Sequence, residues 1–182
     1  MRAHEVRIVG GTLKRSKLPV LDKPGLRPTP DRVRETLFNW LGRDLTGWRC
    51  LDAFAGSGAL GFEAASRGAA EVLLLERDAE LVRSLKASQQ RLKADTLRVE
   101  AGDALAWMRR CEPARFELVF LDPPFDAGLF EPALAAASRI VVPQGYVYLE
   151  APEAFGDMAG LTLQRHARAG AVHFHLLQRN AP

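Results

Sequence analysis

Apolar residues fall in short runs along most of this chain, and the runs alternate with stretches of a different period. From Trp48 onward the runs predict strands at Arg49 to Ala53, Glu71 to Glu76, Thr96 to Glu100, Phe116 to Leu121 and Gly145 to Glu150. Between them, helical spacing predicts helices near Leu60 to Arg67, Asp78 to Leu92, Ala104 to Arg110 and Leu129 to Ser138. Such alternation argues for an α/β fold with a mostly parallel sheet covered on both faces. The tail, "LTLQRHARAGAVHFHLLQR", breaks it: two strands meet around Ala169-Gly170 with no helix between them, so an antiparallel hairpin is expected to close one sheet edge.

The N-terminal quarter has another pattern. "HEVRIVGGTLKRSKLPV" predicts a hairpin, with Glu5 to Val9, a Gly10-Gly11 turn, and Thr12 to Leu18. "LRPTPDRVRETLFNWL" predicts a helix with Thr29 as N-cap, Pro30 at the first position and Asp31 in the first turn. Val33, Leu37, Trp40 and Leu41 share one face of it, leaving Arg27, Arg32 and Arg34 to face a partner. Trp40, Trp48 and Phe54 are read as core. The chain is thus expected to divide into a basic hairpin-and-helix extension, residues 1–45, and a larger domain, residues 46–182.

Composition narrows the class. At 182 residues with 47% hydrophobic and 26% charged residues, the chain is long enough for a real core. No apolar run approaches the ~18 residues of a membrane span, and "MRAHEVRIVGG" lacks an apolar secretory region. Cys50 and Cys111 are isolated, so a reducing cytoplasm is expected. His173 and His175 alternate onto one strand face and, with His166, read as hairpin residues, so no metal is expected. Nothing demands a dimer, and a monomer is expected.

Charge is lopsided. Residues 1–50 hold 11 Lys/Arg against 5 Asp/Glu, whereas the remainder carries a net charge of −3. A polyanion docking on the N-terminal quarter, most simply nucleic acid, competes with the plainer reading of a solvated surface.

Two motifs carry chemistry. In "LDAFAGSGALGFEA", Gly56, Gly58 and Gly61 spell G-x-G-x-x-G between a strand and a helix, and Glu76 ends the next strand. Alone this is a dinucleotide fingerprint, and an oxidoreductase is the rival it supports. Asp52 opposes that reading. A carboxylate about 5 Å from a pyrophosphate, at an effective dielectric near 20, would oppose each phosphate charge by roughly 3 kcal/mol. S-adenosylmethionine instead brings an ammonium and a sulfonium, which an acid at this turn favours. Glu76 serves the ribose of either ligand or a plain surface. Asp103 suits an adenine amino group or an N-cap for the helix at Ala104, and Asp52 equally suits an Asx-turn.

The second motif is "LDPPF". Pro123 and Pro124 alone would be a stiff strand exit, but Asp122 and Phe125 stand beside them. A carboxylate, a backbone carbonyl and an aromatic face suit a planar base bearing an exocyclic amine. Two acceptors on its N–H groups free the nitrogen lone pair while the ring stacks. A methyl donor and an amine acceptor make one reaction, direct in-line transfer, with the target base unpaired or flipped out.

"LDAFAGSGALG", "LLLERD" and "LDPPF" together resemble a class I adenosylmethionine-dependent methyltransferase, Rossmann-like, of the kind that methylates exocyclic amino nitrogens. With "VRIVGGTLKRSKLPV" and "LRPTPDRVRETLFNWL" added, nearly the whole chain is similar to the RsmD family of bacterial 16S ribosomal RNA guanine-N2 methyltransferases. That resemblance implies a seven-stranded sheet, S-adenosylmethionine as cofactor, and 16S rRNA, in a small-subunit particle, as partner. It places Asp52, Ala55, Gly56 and Gly58 at the methionine end of the cofactor, Glu76 and Arg77 at the ribose, and Asp103 and Ala104 at the adenine. Asp122, Pro123, Pro124 and Phe125 would hold the base, and Arg7, Lys14, Arg15, Lys17, Arg27, Arg32 and Arg34 the RNA. "KRSKL" departs from the family, which often has a glycine where Ser16 stands. A DNA or RNA adenine-N6 or cytosine-N4 methyltransferase would share the catalytic motif, but usually carries a recognition domain for which this chain has no room.

Overall fold

The computed structural model describes residues 4–182; residues 1–3, the start of the extension, lie outside the described residues. The extension comprises β1 (His4–Arg7), β2 (Lys17–Val20) and α1 (Asp31–Trp40). Then follow β3 (Arg49–Asp52), α2 (Ala59–Ser66), β4 (Glu71–Glu76), α3 (Ala79–Arg91), β5 (Leu97–Ala101), α4 (Ala104–Arg110), β6 (Phe116–Leu121) and α5 (Phe130–Ile140). The chain ends in β7 (Val141–Ala151), β8 (Leu161–Ala169) and β9 (Val172–Arg179).

Seven strands form one sheet in the order β5-β4-β3-β6-β7-β9-β8. The first five run parallel. β9 inserts antiparallel between β7 and β8, so β8 is the edge. Its register slips between Leu163 and Arg165, a local irregularity in that edge strand. The fold is the Rossmann-like α/β sheet with a C-terminal hairpin, as the alternation predicts. Unbroken apolar runs explain it: the central strands bury Leu51, Leu73, Leu74, Val119 and Phe120 completely, which only helices on both faces permit. One core packs α1, α2 and α3 against the sheet through residues such as Leu37, Phe62 and Leu85. The other packs α4 and α5 through Met108, Leu134 and Ile140. The extension shares the first core, to which it contributes Ile8, Leu18 and Phe38.

Three local expectations are corrected. β1 and β2 do pair antiparallel, but with His4 opposite Val20 and Arg7 opposite Lys17, so residues 8–16 form a loop in place of a two-residue turn. Gly10 and Gly11 dock that loop on α2. The Val9 and Gly10 N–H groups donate to the Glu63 carboxylate at 2.9 and 3.0 Å. At φ +80°, Gly11 lies so close that an added Cβ would stand 1.9 Å from the Ser66 carbonyl oxygen. Thr29 does not cap α1, which begins after Pro30 with no side-chain cap; its hydroxyl instead donates to Glu150 Oε2 at 2.7 Å. Trp40 and Trp48 are half-buried, stacked on Phe174 and Tyr146 at the core's margin, and Phe54 is likewise partly exposed.

Candidate active site

Parallel strands present their carboxyl ends on one side of a sheet, and a crevice opens where the strand order reverses. Here the reversal lies at β3, whose neighbours β4 and β6 lead away in opposite directions. Four acids of the candidate site stand at or just past those ends: Asp52 on β3, Glu76 on β4, Asp103 after β5 and Asp122 after β6.

Asp52 is 1% exposed. Its Oδ2 accepts the Gly61 N–H of the first turn of α2 at 3.0 Å, a bond across nine residues and therefore not an Asx-turn. Its Oδ1 is buried with no partner among the described residues. Burial pushes this carboxyl up to about 7; Glu76 and Glu150 add to the rise and the Gly61 bond opposes it. Gly61 also lets α2 approach β4, since a Cβ there would meet Leu74 at 2.0 Å.

Glu76 organises the glycine loop. Its Oε2 accepts the Gly56 N–H at 2.9 Å, while Oε1 accepts the Arg77 and Asp78 N–H groups at 3.0 Å each. Ala55 is buried, Gly58 caps α2 in a left-handed conformation, and Arg77 is exposed. Asp103 is the N-cap of α4, accepting from Ala106 N at 2.9 Å, with Ala104 buried behind it. An N-cap carboxylate keeps lone pairs to spare, so capping leaves room for a second donor.

The residues toward a cofactor fit S-adenosylmethionine. A buried carboxylate oxygen without a partner is stabilised by a cation and repels a phosphate. Asp52 Oδ1 is such an atom.

Beside this crevice, "LDPPF" leaves β6. Asp122 is half-buried and Pro123 buried, while Phe125 is 41% exposed, the one large exposed hydrophobic side chain among the described residues. Its ring touches Phe130 at 6.1 Å between centroids, and Phe130 in turn packs on Phe155. Burial, and next the charge of Glu150, hold the Asp122 carboxyl well above the usual carboxylate range. Glu150 and Tyr148 were not foreseen at the site, and Thr29 was expected only as a helix cap. The one available signal was an acid in the otherwise apolar run "YVYLEA" of β7.

Of the basic residues, Arg7, Lys14, Arg15, Lys17, Arg27 and Arg32 are exposed. Arg7 pairs with Asp31 at 3.7 Å and Lys17 with Glu5 at 3.6 Å. Arg34 is different, and the expectation that it faces a partner is corrected: it is wholly buried. Its Nη1 lies 3.0 Å from Glu63 Oε1, and its Nε donates to the Thr29 carbonyl at 3.1 Å. Phe38, one turn on, is buried beside it, so the apolar face of α1 is wider than its four assigned residues suggested.

In the tail, His175 is buried and paired at both nitrogens, with Leu149 O at 3.0 Å and Phe155 N at 2.9 Å. Among the described residues no group of three His, Cys, Asp or Glu side chains is arranged to hold a metal ion. No described helix is long and apolar enough to cross a membrane.

Ribosomal RNA small subunit methyltransferase D of Escherichia coli K12 is 42% identical to this chain over 182 residues, covering 97% of this chain and 91% of its own length. The protein of the same name from Haemophilus influenzae is 40% identical, covering 96% and 94%. The solved structure of Escherichia coli yhhF superposes with a TM-score of 0.87 at 40% identity, covering 98% of this chain and all of that one. At 15% identity, precorrin-6y C5,15-methyltransferase of Geobacter metallireducens shares the fold alone, with a TM-score of 0.68. The family model described as Conserved hypothetical protein 95 matches residues 6–178, and with these relatives it shows that the chain belongs to the RsmD family.

Proposed function

We propose that the protein transfers a methyl group from S-adenosylmethionine to the exocyclic N2 of a guanine in the 16S ribosomal RNA of the small subunit. The observation that carries this reading is the adjacency of two unlike acids on neighbouring strands. Asp52, at the end of β3, buries an unpartnered oxygen suited to a cationic ligand, and Asp122, just beyond β6, opens beside an exposed aromatic ring. Relatives named for small-subunit ribosomal RNA support the substrate.

The cofactor, when bound, supplies a methyl group on a sulfonium. Asp52, Ala55, Gly56 and Gly58 would hold its methionine end, Glu76 and the Arg77 backbone its ribose, and Asp103 with Ala104 its adenine. Asp122 accepts one hydrogen of the target amine and receives the proton that the amine loses. The Asp122 or Pro123 carbonyl accepts the other hydrogen, and Phe125 stacks on the base. Pro123 and Pro124 keep this loop stiff and poor in competing donors. Positioning and polarisation of the amine supply most of the rate. Because the guanine amine is a pairing edge, the base must leave its helix first. Lys14, Arg15, Arg27 and Arg32, with Arg7 and Lys17, hold phosphates, within a small-subunit particle and as a monomer.

Adenine-N6 and cytosine-N4 offer the same kind of amine, so the choice of guanine rests on the family. A dinucleotide is opposed by the Asp52 carboxylate. The test is transfer of labelled methyl to small-subunit particles lacking their own methylations, followed by digestion to nucleosides. Label in N2-methylguanosine is expected; label in methyladenosine or methylcytidine would overturn the acceptor. Asp122→Ala should lower the rate by about 10² or more, and a near wild-type rate in that variant would overturn the catalytic assignment.

A further inference from the structure

Asp122 has a partner that no motif names. β6 and β7 run parallel, with Phe120 opposite Tyr148 and Leu121 opposite Leu149, so the next step of each chain sets Asp122 beside Glu150. Phe120 and Tyr148 both belong to the core on the α1 side of the sheet. Side chains two residues further on point the same way, beneath the segment that leads into α1. Glu150 is 5% exposed and Thr29 4% exposed, and the Thr29 hydroxyl donates to Glu150 Oε2 at 2.7 Å. Thr29 is itself held through its carbonyl by the buried Arg34. The Tyr148 hydroxyl lies buried with no partner among the described residues.

We propose that Glu150, steadied by Thr29, is a positioning residue for Asp122: it fixes the carboxyl that meets the target amine and sets the pH range in which that carboxyl accepts a proton. This rests on the amino-methylation reading and extends it.

Two carboxyls side by side, Glu150 buried and Asp122 half-buried, do not both ionise readily, and they titrate as a pair. Burial raises Glu150, against the pull of Asp122 and of the Thr29 hydroxyl. Asp122 is raised too, through burial, then Glu150, then Asp52. The titratable groups facing the pair are Tyr148 on β7 and Asp52 on β3, with Glu76 on β4 bearing on Asp52. When the methylated amine releases its proton, the N–H bond breaks, the electron pair stays on nitrogen and the proton goes to the Asp122 carboxylate. A raised proton affinity makes that carboxylate the better base. Glu150 adds to the raise that burial begins, and Thr29 prevents Glu150 from turning away.

The test uses Glu150→Gln, Thr29→Val and, as conservative control, Thr29→Ser. Asp122 is titrated by carbon-13 carboxyl NMR in the free protein, and single-turnover methyl transfer to unmethylated small-subunit particles is followed against pH. In Glu150→Gln the Asp122 midpoint should fall by about one pH unit or more, the acid limb of the rate should move down with it, and the maximal rate should drop about tenfold. Affinity for S-adenosylmethionine should stay within about twofold. Thr29→Val should lower kcat with KM unchanged, and Thr29→Ser should restore it. An unmoved Asp122 midpoint in folded Glu150→Gln would overturn the proposal; if that variant fails to fold, wild-type kcat in Thr29→Val would do so. Should the wild-type protein methylate no RNA, the amino-methylation reading falls, while the NMR titration still decides whether Glu150 governs Asp122.

Discussion

Arg34 Nη1 stands 3.0 Å from Glu63 Oε1 with neither side chain exposed, and this pair ties α1 to α2. Glu63 also receives the Val9 and Gly10 N–H groups and Arg67 Nε, so its carboxylate is fully engaged. Breaking a buried pair costs about 3–5 kcal/mol when the other charge is stranded; here Glu63 keeps Arg67 and Arg34 keeps Asp31, so the loss is smaller, about 1–3 kcal/mol. Glu63→Gln and Arg34→Met should each lose stability on that scale in urea unfolding. Arg34→Met should leave the salt dependence of RNA binding unchanged, because a buried guanidinium neutralises no phosphate.

Gly11 supports the same junction from the loop side. Ala at φ +80° and 1.9 Å from a backbone oxygen cannot be accommodated without moving the loop. Gly11→Ala should therefore cost about 1–3 kcal/mol. Faster hydrogen exchange at the Thr12 and Leu13 amides, which donate to Ser66, would report the detachment.

Asp52 links pH to both stability and ligand. Its carboxyl keeps a proton up to about pH 7 in the fold, but only to about pH 4 in the unfolded chain. Between those values the native state binds more protons, so this group makes stability fall as pH rises, by at most about 1.4 kcal/mol per unit. Asp52→Asn removes that slope. In urea unfolding the variant should gain on wild type between pH 5 and pH 8, while calorimetry at pH 8 shows weaker S-adenosylmethionine binding.

Lys14 and Arg15 are exposed in the loop that Glu63 holds. Replacing both with Glu should weaken RNA binding and flatten its dependence on salt, with S-adenosylmethionine affinity unchanged.

Local pattern served wherever local physics decided. The central strands are buried on both faces, so their apolar runs are unbroken, and β4 and β6 have the bounds that the runs suggest. Asp103 caps α4 three residues from its donor, within reach of any motif. The misplaced residues answer to distant partners: Val9 and Gly10 to Glu63, more than 50 residues away, and Thr29 to Glu150, 121 residues away. Arg34 failed for the same reason, since an arginine reads as exposed until its buried carboxylate is known. At the candidate site, Asp52, Glu76 and Asp122 could be located directly at or just past their strand ends, but the role of Glu150, which also ends a predicted strand, could not, because its neighbour Asp122 follows a different strand.

The slipped register between Leu163 and Arg165 bears on how the molecule keeps its own company. β8 is an open edge, and a straight edge offers its free N–H and C=O groups to any passing strand. A bulge there twists the ladder out of line, while Arg165 and Arg168 crowd the approach with like charge. A further strand that approaches β8 thus meets an edge unfit for pairing, while β5 forms the sheet's other edge.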